Sequence, residues 1–243
     1  MSIYRALRAV RRITPGWVLA IVRNTPGLKQ LKLGLVTLAE RSAEFDELYD
    51  EEFYEDHDTS AHHRRSCVVI AQTIVQLFSP RSVLDVGCGN GALLAEFAVL
   101  GIKTFGLEYA LAGVKRCLAK GLQVRRFDIC TDTLADDQRF DLAVSTEVAE
   151  HLPAEFADRF VDLLCAASDR VIVTAGQPGD GGRCHLNEQP PAYWIDKFAS
   201  RGYRYDCGVT EQLSGQWRKA GVLRYYWRNV MCFQKGGKAD GSG

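Results

Sequence analysis

The chain has 243 residues, 47% of them hydrophobic and 25% charged, which suits one α/β domain with a full core. Lysine plus arginine equals aspartate plus glutamate at 30 each, which excludes a global positive field that would hold nucleic acid through its phosphates. No run approaches the roughly 18 apolar residues that a membrane span needs, so we expect a cytoplasmic protein. The eight cysteines occur singly, which is typical of reduced core residues.

The front of the chain differs from the rest in charge. Residues 1–41 carry eight lysines and arginines against one acid, whereas residues 42–58 carry nine acids and no lysine or arginine. We predict a basic helical extension over residues 1–44, and its role stays open between a peripheral membrane contact, a lid or homodimer contact, and a solvated helix. A signal peptide is rejected because the apolar stretch at 17–22 is short and lies between two prolines.

The run VLDVGCGNG over residues 83–91 is an apolar strand that ends in a carboxylate and leads into a glycine turn. Glycines lack a Cβ and let a nucleoside approach the backbone, and the helical apolar spacing that follows places this turn at a helix N-terminus. Gly87, Gly89 and Ala92 also fit the dinucleotide pattern that would suit NAD. A Rossmann-like domain for another nucleotide is therefore the alternative.

Three acids at the ends of successive predicted strands favour a different ligand. Asp85, Glu108 and Asp128 close the strands predicted near 82–86, 103–107 and 122–127. Three carboxylates suit a cationic amine, a ribose diol and an adenine amine, whereas they would repel a pyrophosphate. These are the features of S-adenosylmethionine (SAM), and over residues 45–235 the chain resembles the class I SAM-dependent methyltransferases.

Alternating strand and helix patterns predict a doubly wound, Rossmann-like α/β sheet of seven strands. The remaining strands are expected near 140–145, 170–175, 202–207 and 226–233, the last following no long helix. The resemblance implies that this last strand inserts antiparallel near the sheet edge. We expect residues 45–235 to form the methyltransferase domain and residues 236–243 to form a disordered tail.

The resemblance also implies the cofactor contacts. The glycine turn would back the methionine moiety, Glu108 would bind the ribose hydroxyls, and an aromatic residue of a helix before the domain, Tyr54, would cover the sulfonium. The full predicted set is Tyr54, Asp85, Gly87, Cys88, Gly89, Gly91, Glu108, Asp128, Ile129 and Thr146.

Residues that carry chemistry concentrate after the fourth and fifth predicted strands. Glu147, Glu150 and His151 lie within one turn of each other, and His185 follows the glycine-rich loop after strand five. Adjacent parallel strands place both loops on one rim, so these side chains form a candidate site for Mg²⁺ or Mn²⁺. Glu147 and His151 are the catalytic candidates, and without a metal His151 would be the general base. The alternative is that His151 merely caps the next helix.

The pattern Glu-x-x-Glu-His with a later histidine resembles the metal site of small-RNA 2′-O-methyltransferases, which implies Glu147, Glu150, His151 and His185 as ligands. Its first half also resembles the ubiquinone-pathway O-methyltransferases. The continuation HLNEQPPAYW is similar to bacterial methyltransferases of polysaccharide and glycosylated natural-product pathways, including the mycobacterial methylmannose-polysaccharide enzymes. The candidate substrate contacts are His185, Gln189, Tyr193 and Trp194, and a core role for the last two stays open.

We predict a SAM-dependent O-methyltransferase that acts on a hydroxyl of a saccharide or glycosylated metabolite, assisted by Mg²⁺. A small-RNA 2′-O-methyltransferase is the first alternative, weakened by the zero net charge. A quinol or other small-molecule O-methyltransferase is the second. A regulatory protein that binds the cofactor without turnover is the alternative from another class.

Overall fold

A computed structural model of the protein describes residues 48–236, without the side chains of residues 56 and 57. The predicted basic extension over residues 1–44 and the predicted tail after residue 236 lie outside the described residues. Within the described part, no helix has the length and apolar character needed to cross a membrane.

Seven strands and eight helices follow one another along the described residues. The strands are β1 (Ser82–Val86), β2 (Lys103–Glu108), β3 (Val124–Arg126), β4 (Leu142–Thr146), β5 (Arg170–Thr174), β6 (Tyr203–Tyr205) and β7 (Val230–Lys235). The helices are α1 (Glu51–Thr59), α2 (Ala61–Phe78), α3 (Ala92–Val99), α4 (Leu111–Ala119), α5 (Ala157–Ala167), α6 (Pro191–Ala199), α7 (Cys207–Lys219) and α8 (Arg224–Asn229). Two short 3₁₀ turns, Ala149–His151 and Ala154–Phe156, follow β4.

The strands form one sheet in the order β3-β2-β1-β4-β5-β7-β6. The first five are parallel, whereas β7 is antiparallel to both β5 and β6. The predicted doubly wound sheet with an antiparallel last strand is therefore confirmed. Because the strand order reverses between β1 and β4, the loops after these two strands flank the crevice where open α/β sheets bind ligands.

Alternate side chains of the central strands enter two separate hydrophobic layers. In β5, Ile172 packs in the layer covered by α2, α3 and α7, while Val171 and Val173 pack in the layer covered by α5 and α6. Successive strand residues point to opposite faces, so a sheet buried on both sides reads as a continuous apolar run. The strands are thus fixed on both faces, which makes their carboxyl ends a rigid platform.

The start of α2 follows directly from its sequence. Ser60 is the N-cap, and its side chain accepts a hydrogen bond from the backbone N–H of His63. A serine at this position satisfies one of the N–H groups that a helix start leaves without a partner. The cap therefore sets the start of α2, which runs to Phe78.

The last predicted strand begins later than the sequence indicates. Residues 224–229 form α8, β7 starts at Val230, and the 13-residue helix α7 lies shortly before it, although no long helix was expected there. Aromatic residues such as Tyr226 and Trp227 favour strands by local propensity. Tertiary packing overrides that propensity here, since Tyr226 is buried and its hydroxyl contacts His63 Nε2 at 3.3 Å.

Candidate active site

A single cavity of about 670 Å³ lies at the carboxyl edge of the sheet and brings together most of the predicted site residues. From the predicted cofactor set its walls include Tyr54, Gly87, Cys88, Gly89, Glu108, Asp128, Ile129 and Thr146. From the predicted catalytic and metal set they include Glu147, Glu150, His151 and His185. The two predicted halves of an active site thus share one space.

The glycine turn after β1 requires glycine for two different reasons. Gly87 has a φ of +73°, and a Cβ there would lie 2.4 Å from a methyl carbon of Val148. Gly91 has a φ of +74°, and a Cβ there would lie 2.7 Å from the sulfur of Cys117. Such a φ is open to glycine at no steric cost. Gly91 is not part of the cavity wall, so its role is to let the turn pack.

Glu108 is held at the cavity wall by the glycine turn. Its Oε2 accepts a hydrogen bond from the N–H of Gly89 at 2.7 Å, and its Oε1 accepts one from the N–H of Ala110 at 2.7 Å. Burial raises the pKa of this carboxyl, and hydrogen bonds from the two amides oppose that shift. The side chain is therefore fixed in position before any ligand binds.

Tyr54 lies over Glu108 instead of at the rim that bears His151. The Tyr54 hydroxyl donates to Glu108 Oε1 at 3.3 Å, and its ring comes within 3.5 Å of the place where a Cβ of Gly89 would be. The rim is occupied by Tyr49, whose hydroxyl is 3.0 Å from His151 Nδ1. Tyr54 thus lies in the cavity wall over the carboxylate predicted to bind ribose, and its contact with the sulfonium stays a prediction.

The helix that carries Tyr54 is anchored to the glycine turn through Asp58. The Asp58 carboxylate accepts from Asn90 Nδ2 at 2.8 Å, from Arg116 Nη1 at 2.5 Å and from Lys120 Nζ at 3.1 Å. These bonds lower the pKa of Asp58 although burial raises it. Helix α1 therefore closes one side of the cavity while staying tied to the residues beneath it.

Asp85 lies beneath the cavity and not on its wall. It is 1% exposed, and its Oδ1 has no hydrogen-bond partner among the described residues. Burial, followed by the charge of Glu108, raises the pKa of Asp85 to about 7. A buried carboxyl without partners favours its neutral form, so Asp85 changes its charge near neutral pH.

This shift makes the stability of the ligand-free protein depend on pH. The pKa of Asp85 is higher in the folded chain than its ordinary value of 3.8. Its contribution to the free energy of unfolding is therefore fully present below pH 3.8 and is lost as pH rises through about 7. As pH rises from 6 to 8, we expect the titration of Asp85 to lower the free energy of unfolding by about 1 kcal/mol. In Asp85→Asn this loss should disappear, whereas exposed Asp196→Asn should retain it, as urea unfolding at both pH values would measure. Equal slopes in all three proteins would contradict the shift.

The rim after β4 and β5 gathers three of the four predicted metal ligands. Ligand atoms of Glu150, His151 and His185 all lie within 4.8 Å of one another. Glu150 is fully buried, and neither of its carboxylate oxygens has a hydrogen-bond partner in the described structure. Burial and the nearby charge of Glu147 raise the pKa of Glu150. Two buried oxygens without partners are costly unless a ligand or cation satisfies them.

Glu147 lies next to this group but outside it. Its backbone has a φ of +54°, which is uncommon for a residue with a side chain. The strained turn is held by two hydrogen bonds from its N–H to Thr174, to the carbonyl oxygen at 3.1 Å and to Oγ1 at 3.0 Å. Its Oε1 is also buried without a hydrogen-bond partner among the described residues. Strain of this kind concentrates at functional sites.

His151 is neutral at physiological pH. Burial, followed by the charge of His185, lowers the pKa of His151 to about 4. Its Nδ1 lies 3.0 Å from the Tyr49 hydroxyl and 3.3 Å from the carbonyl oxygen of Cys184. A neutral imidazole can bind a metal ion or accept a proton.

Comparison with known proteins agrees with this geometry. The family described as methionine biosynthesis protein MetW matches residues 64–180. A ubiquinone biosynthesis O-methyltransferase of Idiomarina loihiensis is 37% identical over 79 residues, which cover 30% of this chain and 32% of that protein. The match thus spans about a third of the length of such curated relatives.

Two solved structures share the architecture over most of the chain. Magnesium protoporphyrin IX methyltransferase from Synechocystis PCC 6803, with bound S-adenosylhomocysteine, has a TM-score of 0.55 and 16% identity and covers 72% of this chain and 84% of that one. The sugar N-methyltransferase KedS8 from Streptoalloteichus has a TM-score of 0.57 and 14% identity and covers 76% and 92%. This chain has the class I methyltransferase fold.

Three predicted substrate residues do not reach the cavity of this methyltransferase fold. Trp194 is 1% exposed and packs edge-on against Phe160 in the core, and Tyr193 packs against the same core. Gln189 donates a hydrogen bond to Asn187 at 2.9 Å. None of the three belongs to the cavity wall. The core role therefore holds for Trp194, which lies on the face of α6 that packs against the core.

Several cavity residues of the methyltransferase fold were not expected from the sequence. They are Tyr49, Phe53, His63, Arg183, Arg224, Tyr225 and Tyr226. The four-residue spacing of Tyr49 and Phe53, whose rings pack 5.0 Å apart edge to face, was a usable signal for an aromatic face before the domain. His63 is buried.

Proposed function

We propose that the protein is a SAM-dependent O-methyltransferase that acts on a small-molecule hydroxyl group. The observation that carries this proposal is the shared cavity, which has the Glu108 carboxylate on one wall and the Glu150, His151 and His185 cluster on another. Methyl transfer is an in-line displacement, so the cofactor and the acceptor must meet in one space with their reacting atoms aligned. Relatives named O-methyltransferases support the same reaction class.

The cofactor half of the proposal rests on charge and on backbone shape. Glu108 has a fixed carboxylate at the cavity wall. Asp128 and Ile129, the residues expected to contact adenine, line the same cavity. A carboxylate accepts strong hydrogen bonds from a ribose diol and repels a pyrophosphate. Dinucleotide sites also place a carboxylate on the ribose, so the choice of SAM is supported mainly by the solved neighbour of this fold that carries bound S-adenosylhomocysteine.

The rim cluster fits a divalent cation such as Mg²⁺ or Mn²⁺. Three buried carboxylate oxygens without hydrogen-bond partners in the described residues, from Glu147 and Glu150, lie beside His151 and His185. Mixed oxygen and imidazole ligands suit Mn²⁺ and related ions, and carboxylates suit Mg²⁺. Glu150, His151 and His185 would hold the ion, with Glu147 next to them. When bound, such an ion supplies Lewis acidity that lowers the pKa of an acceptor hydroxyl.

A metal-free mechanism with His151 as the general base is weaker. An effective base has a pKa near the working pH, whereas the pKa of His151 is lowered to about 4. A saccharide hydroxyl is a very weak acid, so such a base would take its proton slowly. The structure of the rim therefore favours ligation over proton abstraction for His151.

A saccharide hydroxyl is the first acceptor class that we propose. The zero net charge of the chain suits a neutral acceptor. Two aromatic residues of the kind that sugar rings contact, Phe53 and Tyr225, line the cavity. A phenol or quinol is the second candidate. It is favoured by the Tyr49 hydroxyl, a phenol that already contacts His151 at 3.0 Å, and by the curated relatives named for ubiquinone biosynthesis.

Radiolabelled SAM, offered with panels of oligosaccharides, catechols and short RNA ends, would test the function. We expect methylation of a neutral acceptor at a rate that barely responds to ionic strength, because no counterions are released when it binds. An RNA acceptor would instead show a steep fall with salt. Methylation of RNA ends without activity on any small molecule would overturn the acceptor class. Absence of S-adenosylhomocysteine binding in calorimetry would overturn the function itself.

A further inference from the structure

Glu188 collects three hydrogen bonds beside the rim cluster, and it belongs to none of the sets predicted from the sequence. Its Oε1 lies 2.7 Å from His185 Nδ1 and accepts from the N–H of Gly181 at 2.7 Å. Its Oε2 accepts from the N–H of Gly179 at 2.8 Å. A carboxylate has about four acceptor sites, so these three donors nearly fill it. One side chain thus joins a histidine of the cluster to the glycine-rich loop (residues 176–182).

The glycine-rich loop also packs directly on the cluster. A Cβ at Gly182 would lie 2.1 Å from His185 Nε2, and a Cβ at Gly176 would lie 3.2 Å from Glu150 Oε1. A side chain at Gly182 would therefore displace the His185 ring, and one at Gly176 would crowd Glu150. The position of the loop and the orientation of the His185 ring cannot vary independently.

The far side of the same loop is fixed by a second acid. Asp180 accepts from the N–H of Gln177 at 3.0 Å and from Asn229 Nδ2 at 3.2 Å, and it pairs with Arg228. Asp180 contacts the junction of α8 and β7, whereas Glu188 contacts His185. Of these two acids, only Glu188 connects the loop to the cluster.

We propose that Glu188 is a positioning residue that holds the His185 ring and the glycine-rich loop as one unit. An ionised carboxylate can only accept, so His185 Nδ1 carries a hydrogen, and in the neutral imidazole Nε2 then carries the lone pair. Carboxylates that accept from the second nitrogen of a metal-binding histidine fix its ring orientation and tautomer. The importance of this unit for methyl transfer rests on the function proposed above, whereas its existence does not.

Two measurements on the metal-free protein test the unit directly. In Glu188→Ala we expect trypsin to cleave after Arg183 at least several-fold faster, because the loop has lost two of its hydrogen bonds. Nitrogen NMR should show His185 as the Nδ1–H tautomer in the wild-type protein and as a mixture in Glu188→Ala. The surface variant Glu155→Ala should match the wild type in both, and Glu188→Gln, which keeps one acceptor oxygen, should be intermediate. Wild-type cleavage together with a wild-type tautomer in Glu188→Ala would overturn the proposal.

A third measurement connects the unit to the proposed metal site. Titration with Mn²⁺, followed by electron paramagnetic resonance, should show affinity roughly 10- to 100-fold weaker in Glu188→Ala, the usual cost of losing such a partner. Affinity for S-adenosylhomocysteine should stay unchanged, which separates this effect from general misfolding. Gly182→Ala should weaken Mn²⁺ binding in the same way, because its Cβ would displace the His185 ring. If the wild type binds no Mn²⁺ while the loop and tautomer change as expected, the metal proposal fails and the role of Glu188 stands.

Discussion

Treatment of the purified protein with EDTA is expected to abolish methyl transfer, and Mg²⁺ or Mn²⁺ added in excess of the chelator is expected to restore it. The reason is the pair of buried carboxyls of Glu147 and Glu150 beside His151 and His185: three of their oxygens make no hydrogen bond of standard geometry within the described residues. His185→Ala should lose activity as fully as EDTA treatment does. Turnover with and without chelator would be measured at fixed SAM.

Cofactor binding supplies the control for this experiment. Glu108 and the glycine turn are separate from the cluster ligands, so EDTA and His185→Ala should leave the affinity for S-adenosylhomocysteine unchanged. A fall in that affinity would indicate a damaged fold. Full turnover after chelation would remove the ion from the mechanism and leave His151 as the base, with the slow proton transfer that its pKa of about 4 implies.

Glu108→Ala is expected to weaken SAM binding by about 2 kcal/mol or more, the scale of hydrogen bonds to a charged group. That corresponds to a rise of roughly 30-fold in the dissociation constant. The carboxylate already accepts from Gly89, Ala110 and Tyr54, so its remaining acceptor site would take one hydroxyl of the ribose diol. No other acid lines the wall beside Gly89 and Ala110 in the described structure. Calorimetric titration with S-adenosylhomocysteine measures the effect directly.

Two further variants separate ligand contact from loop support. Glu108 also anchors the N–H groups of Gly89 and Ala110, so Glu108→Gln, which keeps the shape of the side chain, should fall between the wild type and Glu108→Ala. Tyr54→Phe removes only the hydroxyl donor over Glu108 and should cost less than either. NAD should not bind to any of these proteins. Tight NAD binding with no S-adenosylhomocysteine binding would refute the assignment of the nucleotide.

The parts of the fold that sequence predicts well are those in which local pattern and global packing agree. β1, β4 and β5 are largely apolar runs of strand length. The Ser60 cap marks the start of α2, and the glycine turn marks the start of α3. The rim cluster was predictable as well, because the carboxyl ends of parallel strands meet at one edge. Topology alone was enough to bring Glu150 and His185 together.

Other features depend on contacts that no local pattern encodes. Tyr49 meets His151 across 102 residues, and nothing near either residue in the sequence indicates that pairing. Trp194 is a residue type that often contacts sugar rings. Its side chain points into the core because it lies on the face of α6 that packs against Phe160. Residues 224–229 form a helix against their strand propensity because Tyr226 is buried in that conformation.

The position of β7 has a consequence for the biosynthesis of the protein. Among the described residues β7 is the last strand, yet it lies between β5 and β6 in the sheet, and there β6 pairs with no other strand. On the ribosome, β1 to β5 can pair as they emerge, whereas Tyr203–Tyr205 must wait for residues 230–235. Until then, the free edge of β5 is open to pairing with strands of other nascent chains. The completed sheet removes that hazard only when the final strand has been synthesised and inserted.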